Sequence, residues 1–141
     1  MPHDLVLKSM NLIHKSMLTL TGGRLGWTAG SMPVLELTTI GRKSGEKRSV
    51  LLTSPVQEGE SIVIVASRGG DDHHPAWFLN LRDNPKVEVA LKGEKKKPMQ
   101  ARIASEAERA RLWPIVTATY KNYGAYQSKT EREIPLVVLE P

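Results

Sequence analysis

Cysteine is absent from the 141-residue chain, which excludes disulfides, thiolate metal sites and thiol nucleophiles and suits a reducing compartment. Histidine is scarce. His3 and His14 stand apart from the neighbours His73 and His74, with no H-x-x-x-H spacing and no carboxylate-rich companion, so no metal is expected. There is no Walker A run, no G-x-G-x-x-G, no G-x-S-x-G elbow and no evident carboxylate pair. Phosphoryl transfer, nicotinamide binding by that fingerprint and serine hydrolysis all lose ground. Long uncharged apolar runs are missing as well. Residues 4–20 place Val6, Met10, Ile13, Met17 and Leu20 at helical spacing but are broken by Lys8, His14 and Lys15, which reads as an amphipathic helix rather than a membrane span or a cleaved leader.

Acidic residues are the minority, 15 against 20 Lys and Arg, for a formal net charge of +5. The cations gather in two clusters, neither with interleaved aromatics nor a helix-turn-helix pattern, so no nucleic-acid partner is expected. The length permits one domain with a real core but not separate cofactor and substrate domains, so a ligand must sit on the domain or between copies of it.

What the chain does have is a concentrated basic turn. Val34 to Ile40 and Arg48 to Thr53 read as two strands of a hairpin, and between them lies Gly41-Arg42-Lys43-Ser44-Gly45-Glu46-Lys47. Gly41 and Gly45 permit positive φ and bare amides, Ser44 adds a hydroxyl, and Arg42, Lys43, Lys47 and Arg48 add charge. Arg presents a planar fork and Lys a movable point charge, which together suit a multiply charged anionic tail. The second cluster, Lys92 to Lys97, reads as a hairpin tip kept soluble by charge.

In chain order, Thr21 to Gly26 is a connection, and the domain proper begins near Met32. This divides the chain into 1–31, an N-terminal amphipathic helix and linker, and 32–141, the folded domain. Residues 46–55 form the return strand and Gln57 to Glu60 the next turn. Ser61 to Ser67 is a continuous apolar strand buried on both sides, opening into Arg68-Gly69-Gly70, where a hydroxyl, a cation and bare backbone could meet an anion. Pro75 to Leu81 forms a short helix whose first amides, at Ala76 and Trp77, either face a ligand or are capped by Asp72 or His74. Val87 to Leu91 and Pro98 to Ala104 pair as strands. Ser105-Glu106-Ala107-Glu108 is a capping box opening a helix, with a kink or restart expected near Trp113 because of Pro114. Tyr120, Tyr123 and Tyr126 follow at intervals of three, with Gly124 expected to end regular structure and leave Tyr126 in a loop. Ile134 to Leu139 is the last strand. Some six strands, linked mostly as hairpins, predict a mainly β fold: a small antiparallel β-barrel with an N-terminal helix and a C-terminal helical crossover.

Four blocks carry a resemblance: Thr38-Thr39-Ile40-Gly41-Arg42-Lys43-Ser44-Gly45, Ala66-Ser67-Arg68-Gly69-Gly70, His74 to Leu81 with Asn84-Pro85, and Ile134-Pro135-Leu136-Val137-Val138. Together they resemble the deazaflavin (F420)-dependent nitroreductase family of actinobacteria, related to flavin mononucleotide-binding oxidases. The resemblance implies a split β-barrel and reduced coenzyme F420 as hydride donor. It assigns Arg42, Lys43, Ser44, Gly45 and Arg48 to the phosphate and polyglutamate tail. Ser67, Arg68, Gly69 and Gly70 fall to the linker, and Pro75, Ala76 and Trp77 to the deazaflavin ring. Tyr120, Tyr123 and Tyr126 are placed beside the substrate, where a phenol binds its oxygen or supplies a proton. Ser54 stands where some relatives carry an aromatic residue, implying a wider or more polar pocket. The expected activity is reduction of a small-molecule acceptor, an enone or lactone, a quinone or a nitroaromatic, with enoates favoured. A non-catalytic F420 or flavin carrier and a flavin mononucleotide-dependent oxidoreductase are the alternatives. A homodimer is expected by analogy. The expected location is cytoplasmic, at most peripheral to the inner face of the plasma membrane through residues 4–20.

Overall fold

The computed structural model describes residues 32–91 and 94–141 together with the backbone of 28–29. The expected helix over residues 4–20, with its membrane reading, and the tip residues Lys92 and Gly93 lie outside the described residues. Among the described residues the elements are β1 (Thr28–Ala29), β2 (Met32–Ile40), β3 (Lys47–Thr53), β4 (Val56–Glu58), β5 (Ser61–Val65), a 3-10 turn (Arg68–Gly70), α1 (Ala76–Asp83), β6 (Lys86–Leu91), β7 (Lys97–Ile103), α2 (Glu106–Thr119), α3 (Lys121–Ser128) and β8 (Leu136–Glu140). The sheet therefore takes in Thr28–Ala29, just upstream of Met32.

All strand pairs are antiparallel, in the order β1-β2-β6-β7-β8-β5-β4 with β3 flanking β2. This is the expected split β-barrel with added helices. The apolar run of β5 has a structural cause: its alternate residues feed two cores. Ile62 and Ile64 join Leu35, Leu37, Val87, Val89, Val137 and Leu139 under α1, where Trp77, Phe78 and Leu81 close the cluster. Val63 and Val65 face the other way, with Leu136 and Val138, against Leu112 and Val116 of α2, Tyr123 of α3 and Ile134. A strand covered on both faces has no polar side to show, which removes the usual alternation.

Three local expectations need correction. Residues 57–60 are not simply a turn, because Val56–Glu58 form β4 and pair with β5 in register Val56 to Val63. The break before β4 falls at Ser54, which is 1% exposed and whose hydroxyl lies 2.6 Å from the Val63 carbonyl and 2.9 Å from that of Val56. Ser54 is thus occupied inside the corner of the sheet and does not widen a ligand pocket. Secondly, α2 runs from Glu106 to Thr119 through Pro114 and restarts only at Tyr120. Pro114 is on an exposed face, while Leu112 and Val116 on the buried side hold the helix to the sheet. Packing outweighs one lost ladder bond. Thirdly, Gly124 does not end regular structure; α3 continues to Ser128, and Gly124 faces the Thr117 side chain of α2.

The capping box is as expected. Ser105 Oγ accepts from the Glu108 amide at 3.2 Å, and Glu108 Oε1 accepts from the Ser105 amide at 3.1 Å. Arg102 donates to the same carboxylate and holds its pKa down to about 2.

Candidate active site

The basic hairpin turn and the first turn of α1 face one another across an open cleft of about 540 Å³. Its walls are Thr39, Gly41, Arg42, Lys43, Ser44, Lys47, Arg48, Ser49 and Val50 from the hairpin, and Ala76, Trp77 and Asn80 from α1. The cleft thus joins two of the sequence-predicted groups, the cations and the helix start. Gly45 is not in the lining; with φ of 73° it shapes the turn.

The two glycine amides of the turn are used within the turn itself. The Gly41 amide donates to the Glu46 carbonyl at 2.7 Å and the Gly45 amide to the Gly41 carbonyl at 2.8 Å, so both are spent internally. Ser44 Oγ accepts from the Glu46 amide at 3.2 Å and keeps its own proton to donate. The cations differ in commitment. Lys47 pairs with Glu88 at 2.9 Å and Arg48 with Glu46 at 3.6 Å, both largely exposed and cheaply exchanged for another anion. Arg42 is held by a neutral partner. Its amide and Nη1 both donate to Asn80 Oδ1, at 3.1 and 3.2 Å, while Asn80 Nδ2 donates to Thr39 Oγ1 at 3.2 Å. Arg42 is therefore oriented without being neutralised. Asn80 is 6% exposed and carries this arrangement, yet the sequence reading passed over it as one helix residue among others.

At the start of α1, Pro75 is the N-cap and no side chain caps the helix. The Pro75 carbonyl takes the amides of Phe78 and Leu79, while Asp71 Oδ1 is used by the His73 amide. Capping by Asp72 or His74 is therefore not what is observed, and Ala76 and Trp77, the first two residues of α1 at its positive end, line the cleft.

Ser67, Arg68, Gly69 and Gly70 lie outside this lining. Arg68, Gly69 and Gly70 all have positive φ, at 47°, 64° and 85°. Arg68 in that region carries strain that the surroundings must impose. Its Nη1 lies 3.1 Å from Asp71 Oδ2, a carboxylate whose side chain is almost fully buried. Gly70 is pressed against α3, where an added Cβ would come within 2.7 Å of the Tyr126 carbonyl oxygen.

Tyr120, Tyr123 and Tyr126 form an edge-to-face row with ring centroids 6.4 and 6.0 Å apart. Tyr123 is buried, its hydroxyl 3.3 Å from Thr53 Oγ1 and 3.5 Å from the Met32 sulfur, and burial pushes its pKa up. Thr53 ends β3 and Lys47 begins it. The Tyr123 phenol and the Lys47 end of the hairpin therefore lie at opposite ends of one edge strand, about 20 Å apart at the rise of an extended chain. Arg132 is the other residue the sequence reading missed. It binds the loop before α1, and nothing in its local pattern, Glu131-Arg132-Glu133, announces that.

Among the described residues no three His, Asp or Glu gather to hold a metal, and no helix is long and apolar enough to cross a membrane.

A curled antiparallel sheet with a cationic hairpin cleft places the chain in the split-barrel class. A solved structure of an F420H2-dependent reductase matches it with a TM-score of 0.66 and 40% identity, covering 77% of this chain and 94% of that one. A second, described as a domain-swapped dimer, matches with a TM-score of 0.69 and 37% identity over 99% of this chain and all of that one. An F420H(2)-dependent quinone reductase of Mycobacterium tuberculosis is 40% identical over 134 residues, 90% of this chain and 87% of the relative. The family model described as F420H(2)-dependent quinone reductase matches residues 11–141, and the chain belongs to that family. By family it is an F420H2-dependent oxidoreductase with reduced coenzyme F420 as its cofactor.

Proposed function

We propose that the chain reduces a quinone, with reduced F420 supplying the hydride from a seat between the basic hairpin and α1. The observation that carries this reading is the meeting of the oriented, unneutralised Arg42 and its neighbours Lys43 and Arg48 with the positive end of α1 in one cleft. The donor set fits an anion with several charges: guanidinium forks, an ammonium and a hydroxyl on one wall, helix amides on the other. Arg42, Lys43, Ser44 and Arg48 hold the phosphate and glutamate tail, Ser67 to Gly70 support the linker, and Pro75, Ala76 and Trp77 set the ring against the helix start. At the far end of β3, the phenols of Tyr120 and Tyr126 face the acceptor, while Tyr123 is turned inward on Thr53 and braces the row. A phenol hydroxyl donates to a quinone oxygen as negative charge develops there. Quinone is favoured over enoate or nitroaromatic acceptors because the family is described by that substrate. A homodimer belongs to the same reading, since a relative of 37% identity is a domain-swapped dimer.

Anaerobic mixing with reduced F420 and a panel of quinones, enones and nitroaromatics tests the proposal. Quinones should oxidise the coenzyme fastest; no oxidation by any quinone would refute the activity. Arg42→Ala combined with Lys43→Ala should weaken F420 binding by on the order of 10-fold to 100-fold, as loss of two charge-assisted contacts implies. Equal affinity in the wild type would remove the clamp.

A further inference from the structure

Arg132 lies between α3 and β8, and its guanidinium reaches the loop joining β5 to α1 at four points. Nη2 lies 2.9 Å from the Ser67 carbonyl and 3.2 Å from that of Ala66, Nε lies 2.8 Å from the Asp71 carbonyl, and Nη1 lies 3.1 Å from His74 Nδ1. A guanidinium only donates, so His74 accepts at Nδ1 and carries its proton on Nε2. The acceptors bracket the whole loop from Ala66 to His74, which contains the strained turn at Arg68 and ends one residue before the cap of α1. Nothing in β5 or β8 needs these bonds for its own pairing, because that ladder is complete from Ile62–Leu139 to Val65–Leu136.

The segment that presents Arg132 is itself tied to the tyrosine helix. Gln127, the residue after Tyr126, donates from Nε2 to the Arg132 carbonyl at 2.7 Å and accepts at Oε1 from the Ile134 amide at 2.9 Å. Arg109 of α2 donates to the same Oε1 at 3.1 Å. A continuous set of bonds thus leads from the phenol row, through Gln127 and Arg132, to the loop and the helix start that forms one wall of the cleft. Backbone contact between Gly70 and Tyr126 closes the arrangement from the other side.

We propose that Arg132 is a positioning residue: its four-point grip on residues 66–74 sets that loop, and through it the first turn of α1 on the cleft wall, in fixed register with the tyrosine helix. The proposal rests on the reading of the cleft as the F420 seat. The fork geometry is the essential feature, since a single ammonium cannot span acceptors on both sides of the loop. Displacement of this wall relative to the phenols by about 1 Å is the kind of error that costs on the order of 100-fold in turnover.

The test compares Arg132→Lys and Arg132→Gln with the wild type and with the Arg42→Ala, Lys43→Ala double variant. Binding of oxidised F420 is followed by its fluorescence, and hydrogen exchange is measured on the unliganded proteins. Both Arg132 variants should weaken F420 by on the order of 10-fold and lower kcat/KM further, while exchange rises in residues 66–74 and stays unchanged in β5 and β8. Arg132→Lys should behave like Arg132→Gln. Wild-type affinity and exchange in Arg132→Lys would overturn the proposal, as would weakened binding with no change in exchange of residues 66–74. If Arg132→Gln loosens the whole protein, Arg132→Lys decides by the same two readouts. Weakened binding in the double variant alone would sink the positioning role and leave the cleft assignment standing; wild-type binding in the double variant would sink the cleft assignment instead.

Discussion

Half-buried against Phe78, with ring centroids 4.7 Å apart and the Arg132 guanidinium at Nδ1, His74 is a histidine whose neutral form belongs to the fold. Burial, then the charges of Arg132 and Arg82, lower its pKa from the ordinary 6.5. The unfolded chain therefore binds this proton more readily than the native one, and the stability His74 contributes is full above about pH 6.5 and is lost as pH falls through its lower native value. Urea denaturation between about pH 7 and about pH 5 should show a falling midpoint, and His74→Gln should flatten that fall. An identical pH slope in the variant would show that the imidazole does not titrate against the fold. The sequence marked His74 only as a possible cap, because the guanidinium that defines its role is 58 residues away. Asn80 was passed over for the same reason: its partners Thr39 and Arg42 lie on the other side of the cleft. Local spacing shows which residue types sit on a helix, not which loop will fold back onto them.

At the scale of elements, strands and caps could be read where their causes are local. The β2–β3 hairpin, the β6–β7 pair, the buried β5 and the capping box at Ser105 all follow from alternation, turn residues or an S-x-x-E spacing. The misreadings concern elements whose continuity is decided by neighbours. Gly124 sits inside α3 next to Tyr123, which anchors that helix in the core, and α2 passes Pro114 because its buried side is anchored. That second case carries a prediction. Proline in a helix interior costs about 3 kcal/mol relative to alanine through the lost amide and the ring clash, partly offset by its stiffening of the unfolded chain. Pro114 is exposed and its ring fills no core, so Pro114→Ala should restore the bond to the Ala110 carbonyl and stabilise the protein by about 1–2 kcal/mol. Thermal unfolding should show a higher midpoint; a lower one would mean that Pro114 itself helps to seat Leu112 and Val116 together.

For the whole molecule, the net charge of +5 is less informative than where the charge stays uncompensated. Several cations are tied to carboxylates: Arg102 to Glu108 and Glu140, Arg111 to Glu58, Lys96 to Glu36. The hairpin turn is different, since Arg42 leans on a neutral amide and the pairs of Lys47 and Arg48 are exposed. A cleft of this kind attracts a multiply charged ligand through solvent-accessible charges, and such attraction is screened once the Debye length falls from about 10 Å at 0.1 M salt to about 3 Å at 1 M. F420 affinity should therefore drop steeply as salt is raised over that range, and the Arg42→Ala, Lys43→Ala variant should bind more weakly with a shallower dependence. Flavin mononucleotide, with a single phosphate and no glutamate tail, should show a smaller slope on the wild type. If F420 and flavin mononucleotide respond to salt alike, the hairpin does not hold the tail, and the ligand enters from the phenol end of β3 instead.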